Sequence, residues 1–320
     1  MPEINLIKLD GKPLEKLIEV ISNGIGTLYR PRSIRKDADA KAYEIGILEN
    51  AKAKALSEGK ELEAETYIRI QERLIFKETE RQNNIDSIAE KTANQLENEP
   101  IISEKPVDKD WTKRFFNIAQ DVSNEEMQNL WSRILTGEVV NPGSFSLRTL
   151  ELLKNLSKKE AETFNRMANL AISSFNSPCI YQGKNQKGDF LNKYGSGFND
   201  RLLLIEVGLL QPDSLITRSL PANETDSETF VYHTSGNIIL KQILQPKSSK
   251  QKISIYRFSN IGEELLRIIT IEPNVEYLKE FALAHTNQHS KFELAYILKK
   301  YKNGDVDHTN WEEITNANTV

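Results

Sequence analysis

The cations Lys241, Lys247, Lys250, Lys252 and Arg257 fall beside two β-like runs, FVYHTSGNIILK and KISIYRF. That is where the wing of a DNA-binding unit carries its phosphate contacts. Arg30, Arg32 and Arg35 form a second basic group behind Gly24 and Gly26 in SNGIGTLYRPR. A phosphate-cradling loop would need a preceding apolar strand and a complete Walker or dinucleotide spacing, and neither is present. The group therefore reads as a helix end with a solvated basic cluster, with contact to nucleic acid or acidic lipid left open. His285 and His289 are four apart, so on one helix both imidazoles would face the same way, as a metal pair requires. No HExxH pattern surrounds them and no third ligand is identifiable, so no metal is expected. Asp108, Asp110, Asp121, Glu125 and Glu126 make an acidic neighbourhood, but linker and capping chemistry explains two of them. No lysine stands near them at nuclease-like spacing. No catalytic residue and no cofactor are expected.

The chain has 320 residues, of which 38% are hydrophobic, enough to bury a sizeable core. Its 42 basic and 46 acidic residues give a net charge of −4, so any nucleic-acid contact must be a local patch. One cysteine excludes an internal disulfide framework and a cysteine zinc site. Together with the lack of an apolar leader at the start and of any stretch of 18 apolar residues, it leads to the expectation of a cytoplasmic protein without a membrane span.

Stepping along the chain, Leu14, Leu17, Ile18, Ile21, Ile25 and Leu28 draw one helical stripe that Pro31 is expected to end. From Asp37 to Glu99 the composition predicts two long helices joined near Gly59, as an antiparallel hairpin or coiled coil. Its apolar stripes are thin, which implies a partner helix. After a linker around Pro100 and Pro106, Trp111, Phe115 and Ile118 predict a short helix. A Ser123/Glu126 capping box predicts another, carrying Trp131 and stopping at Gly137. Trp111, Phe115 and Trp131 are expected in the core. Ser144 or Ser146 starts the next helix, and Ser157 with Glu160 boxes the one after it.

A short helix is then expected from Phe198 to Val207, followed by a hairpin around Ser235–Asn237, the KISIYRF strand and a helix capped by Ser259. That order is the order of a winged helix-turn-helix unit, although the would-be recognition helix offers only Asn199 and Arg201 as readers. Helices from Val275 to His285 and near Phe292 to Tyr301 close the chain.

The run DWTKRFFNIAQDVSNEEMQNLWSRILTGEVVNPGSFSLRTLELLKNLSKKEAETF, residues 110–164, resembles a bacterial family known as domain of unknown function 2806. GIGTLYRPRSIRKDADAKA, LLLIEVGLL and YRFSNIGEELL extend the likeness over most of residues 20–270. A looser likeness, in the order Leu-Trp, Leu-Ser, Gly-Leu-Leu, a strand and Gly-Glu-Leu, connects the chain to the abortive-infection alpha proteins. The first family carries no catalytic residues over; the second implies a role in defence against phage.

These readings combine into a mainly α chain. An N-terminal amphipathic helix and long hairpin occupy 1–107 and a central helical core 108–172. A degenerate winged-helix (α+β) unit follows at 173–272, with C-terminal helices and tail at 273–320. The expected function is that of a non-enzymatic defence or stress protein that forms a homo-oligomer through its helices and binds a protein partner or nucleic acid. The alternatives are a winged-helix DNA-binding regulator and an enzyme with an unrecognised site.

Overall fold

The computed structural model describes residues 11–31, 46, 49, 50, 53, 54, 57, 61–97, 99, 102–184, 190–212, 216–301 and 304–315. The chain divides into two compact units, Met1–Lys154 and Asn155–Val320. The first is helical. Helix α1 (Lys12–Ile25) buries Leu17, Val20 and Ile21 and ends at Gly26, whose φ of 78° supplies the left-handed cap. The stop therefore comes before Pro31. Helix α2 (Glu61–Leu96) is continuous. Its C-terminal half buries Ile85, Ile88, Ala89, Ala93 and Leu96. The first arm of the expected hairpin, before Gly59, falls largely outside the described residues.

Helix α3 (Lys109–Ala119) starts where the Asp108 carboxylate accepts the Trp111 amide at 2.8 Å. Helix α4 (Glu125–Val140) is capped by Asn124, which accepts the Met127 amide at 3.0 Å, in place of the expected Ser123/Glu126 box. Gly137 lies inside α4 and is not its stop. A Cβ there would come 2.7 Å from the Phe145 ring, so the glycine serves close packing. The buried Glu138 accepts the amides of Gly143 at 2.6 Å and Phe145 at 3.1 Å, fixing the turn into α5 (Leu147–Asn155). At the centre, Phe115 stacks on Trp111 at 5.1 Å and meets Trp131 edge-on at 5.2 Å.

The second unit overturns the mainly α, winged-helix expectation. Helix α6 (Lys158–Ala168), with its Ser157/Glu160 capping box, leads into β1 (Ile172–Ser174) and β2 (Ser177–Tyr181). Then follow α7 (Phe198–Glu206), β3 (Thr217–Leu220), β4 (Thr229–Ser235), β5 (Ile238–Leu244), β6 (Gln251–Arg257) and α8 (Asn260–Leu266). Helix α9 (Val275–His285), β7 (Ser290–Lys300), β8 (Val306–His308) and β9 (Glu312–Glu313) complete it. Among the described residues the strands form one nine-stranded antiparallel sheet, ordered β3-β6-β2-β1-β4-β5-β7-β8 with β9 beside β7.

The hairpin at Ser235–Asn237 is present, but β4 and β5 are not a wing. A wing leaves its outer edges free, whereas here β1 pairs with β4 and β7 with β5. Strand β6 lies between β2 and β3. The expected recognition helix, α7, buries Arg201 to 7% exposure, with its guanidinium over the Tyr256 ring at 5.1 Å. The helix expected near Phe292–Tyr301 is strand β7. Ser290, Phe292 and Leu294 alternate inward with period two, in register with β5 from Ser290↔Leu244 to Tyr296↔Ile238. This face packs against α9, Phe281 meeting Phe292 at 5.9 Å. Among the described residues no helix is long and apolar enough to cross a membrane.

Trp131 is fully buried, so Trp131→Ala should cost about 3–5 kcal/mol. Thermal denaturation checks this, and an unchanged melting temperature would mean that the aromatic cluster does not hold the helical unit together.

Candidate binding cleft

In the second unit the tips of two hairpins and the exit of α8 enclose a cleft of about 810 Å³. The β1–β2 hairpin contributes Ser173, Asn176 and Pro178, and the β4–β5 hairpin contributes Thr234, Ser235, Gly236 and Asn237. Glu263, Leu266 and Arg267 come from α8 and its exit, Ile269–Ile271 from the loop beyond, and Ile297, Leu298, Lys299 and Lys300 from β7. The wall holds both polar and apolar groups. Arg267, Lys299 and Lys300 set three cations against the single carboxylate of Glu263. The Lys300 ammonium reaches the Gly236 carbonyl at 3.3 Å, and the Lys299 ammonium lies 4.8 Å from the Tyr301 ring centroid. Ser235 Oγ is buried with no hydrogen-bond partner.

The β1–β2 turn is strained. Phe175 and Asn176 adopt φ of 52° and 58°, the left-handed conformation of a tight hairpin turn that Asn and Gly accept readily. For a bulky Phe it costs about 1–2 kcal/mol. Even so, Phe175 is 74% exposed, so no burial of its ring offsets the strain. What holds the turn is Arg218 on β3, which donates to the carbonyls of Ser174 at 2.6 Å and Ser177 at 2.7 Å, the residues flanking Phe175 and Asn176.

The nominated cations do not converge. Lys241 pairs with Glu293 at 2.9 Å and lies over the rings of Phe230 at 4.8 Å and Trp311 at 5.3 Å, so its charge is used within the fold. Lys247 pairs with Asp226 at 2.9 Å. Lys250, Lys252 and Arg257 are exposed, but strand alternation puts Lys252 and Arg257 on opposite faces of β6. Arg30 is exposed beyond α1, while Arg32 and Arg35 lie outside the described residues. His285 ends α9, buried, with Nδ1 2.6 Å from the Phe281 carbonyl, whereas His289 is exposed in the next turn. The two therefore form no pair on one helix. Among the described residues no group of three His, Cys, Asp or Glu side chains could hold a metal ion. Phe175, Arg267, Leu298, Lys299 and Lys300 were missed by sequence reasoning. The Lys-Lys pair was visible, but reading β7 as a helix concealed the edge on which it stands.

One buried constellation has the residue types of a nucleophile and its base. Ser174 Oγ is 2.5 Å from His233 Nδ1, His233 Nε2 is 3.0 Å from Gln242 Oε1, and Gln242 Nε2 is 3.0 Å from Ser290 Oγ. In this arrangement Nε2 carries the proton and the bare Nδ1 accepts from the Ser174 hydroxyl. Two facts argue against catalysis. Ser174 is 6% and His233 1% exposed, and the group behind the imidazole is a neutral amide, which stabilises an imidazolium less than a carboxylate does. Burial pushes the His233 pKa down to about 4, with Gln242 opposing and Arg218 and His285 assisting, so the imidazole is a weak base at neutral pH. Burial likewise raises the Cys179 thiol, against the opposing charge and hydrogen bond of Arg218, and leaves it protonated.

The family model described as protein of unknown function (DUF2806) matches residues 68–282. The chain belongs to that family. Within the DUF2806 match lie α3 to α8, both hairpins and the His233–Gln242 contact; it ends inside α9, before β7. No curated protein and no solved structure matches the chain.

Because the folded His233 pKa lies below its ordinary 6.5, the stability it permits is present above pH 6.5 and is lost as pH falls toward 4. The loss is about 3 kcal/mol. His233→Gln should flatten the fall in melting temperature across that interval, and an unchanged slope would assign it to other groups.

Proposed function

We propose that this chain works by binding a partner protein in the cleft of its second unit, and that it self-associates through α2. The observation that carries the first part is the cleft wall. It combines a basic rim with the exposed Leu298, and beside it, next to the lining residue Asn176, the exposed Phe175 stands on a turn held under strain. Strain kept at an exposed aromatic is a pointer to function, since stability alone would favour Asn or Gly there. A binding role needs none of the activated nucleophiles or metal clusters that hydrolytic chemistry requires. Self-association is supported by Tyr67, Ile70 and Leu74 of α2, which follow i, i+3, i+7 spacing and are 50%, 41% and 46% exposed. No comparison supports the looser likeness to abortive-infection alpha proteins, and no feature of the structure argues for a role in defence against phage.

A photo-crosslinking residue placed at Leu298 in the native cells should give a protein adduct that the same residue at the exposed Lys159 does not give. Absence of an adduct at Leu298, or equal adducts at both positions, would remove the cleft as the docking site. For α2, Ile70→Lys with Leu74→Glu should reduce the mass seen by light scattering to that of one chain while circular dichroism stays unchanged. Equal masses for parent and variant would rule out the helical assembly.

A further inference from the structure

We infer that the cleft takes an extended, acidic segment of the partner protein, laid beside the end of β7 and anchored on Phe175. This deepens the partner-binding reading and rests on it. Small-molecule pockets enclose their ligands in mostly apolar walls. This cleft is open and half polar, and two large apolar residues of its surroundings, Phe175 and Leu298, are 74% and 70% exposed. Such a surface fits a chain segment better than a compact ligand.

Charge decides the chemistry of the segment. It favours carboxylates: in a molecule whose net charge is −4, the wall gathers Arg267, Lys299 and Lys300 with one carboxylate, Glu263. The backbone decides its conformation. β5 begins at Ile238, opposite Tyr296, and the Ile297 amide donates to the Asn237 carbonyl at 2.7 Å. Beyond that point Leu298–Lys300 continue with β8 on one side, and no described strand pairs with them on the other. An extended segment can add there, as peptides add to open sheet edges.

Lysines at a strand edge beside a register shift also serve to keep copies from stacking edge to edge. That role leaves Phe175 unexplained. Edge protection is served by a polar residue, and a polar Asn would relieve the turn that Arg218 holds in place. An exposed aromatic is what an interface anchor requires.

The test is to pan a display library of random peptides on the full chain and to measure the most enriched peptide by fluorescence anisotropy. Enriched sequences should combine Asp or Glu with bulky apolar residues. Phe175→Asn should raise the melting temperature by a few degrees and weaken binding about tenfold, opposite changes that a structural role for the ring would not produce. Lys299→Gln with Lys300→Gln should weaken binding about tenfold at low salt and flatten its salt dependence. Enriched peptides without acidic bias, affinity untouched by either variant, or tighter binding of labelled oligothymidine than of any peptide would each overturn the inference. If those results accompany a crosslink at Leu298, the acidic segment falls and the partner-binding cleft stands; without that crosslink both fall.

Discussion

The sheet of the second unit depends on one line of buried polar groups. Ser174, His233, Gln242 and Ser290 sit on β1, β4, β5 and β7, four neighbouring strands, and each hydrogen-bonds the next. Apolar side chains tolerate displacement, since a leucine packs almost as well a little further along. Buried polar atoms do not, because each lost partner leaves a desolvated group that costs about 1–3 kcal/mol. A slip of one residue in any of these pairings would turn a member of the line to the other face and orphan its neighbours. The line therefore fixes register across the middle of the sheet, and register decides which residues meet at the hairpin tips.

The cleft follows from that register. Ser174 stands opposite His233 on one side and Ser177 on the other, so the β1–β2 turn consists of Phe175 and Asn176, and the Arg218 guanidinium spans it from the two flanking carbonyls. Likewise the pairing of Tyr296 with Ile238 sets where β7 outruns β5, and so which residues, Leu298 to Lys300, line the wall. The helical unit uses the same device on a smaller scale. Glu138, buried in α4, accepts two backbone amides and so sets the turn that brings Phe145 against Gly137.

The helices between residues 109 and 168 were legible because local signals agree there. Trp111, Phe115, Leu130 and Ile134 keep helical spacing, and polar caps stand at the starts, although the capping atom before α4 belongs to Asn124 and not to Ser123. The sheet was legible only in part. FVYHTSGNIILK and KISIYRF are rich in β-branched and aromatic residues, whereas KFELAYILKK contains Glu, Leu, Ala and Lys, all good helix formers. What makes that run a strand is its ladder with β5, an interaction some fifty residues distant in sequence that no local window contains. The cleft was illegible for a related reason. Its wall is drawn from Ala171 to Lys300, so no motif spans it, and the cations that form a visible group in sequence are separated by pairing and by strand alternation.

The strand order also sets a timetable for synthesis. β1 and β2 leave the ribosome before the other strands yet stand inside the sheet, and Cys179, already opposite Ile172, meets its neighbour on β6 only when Arg257 has emerged. Ser290, the last member of the polar line, comes later still. Until then Leu240, Gln242 and Leu244 of the nascent hairpin have no β7 beside them, and the edge of β5 is open. The helical unit lies wholly before the sheet in the chain and can settle during this interval, whereas the sheet stays incomplete until its C-terminal strand is free of the exit tunnel. A chain stalled in α9 would thus carry a finished bundle and an unclosed, association-prone sheet.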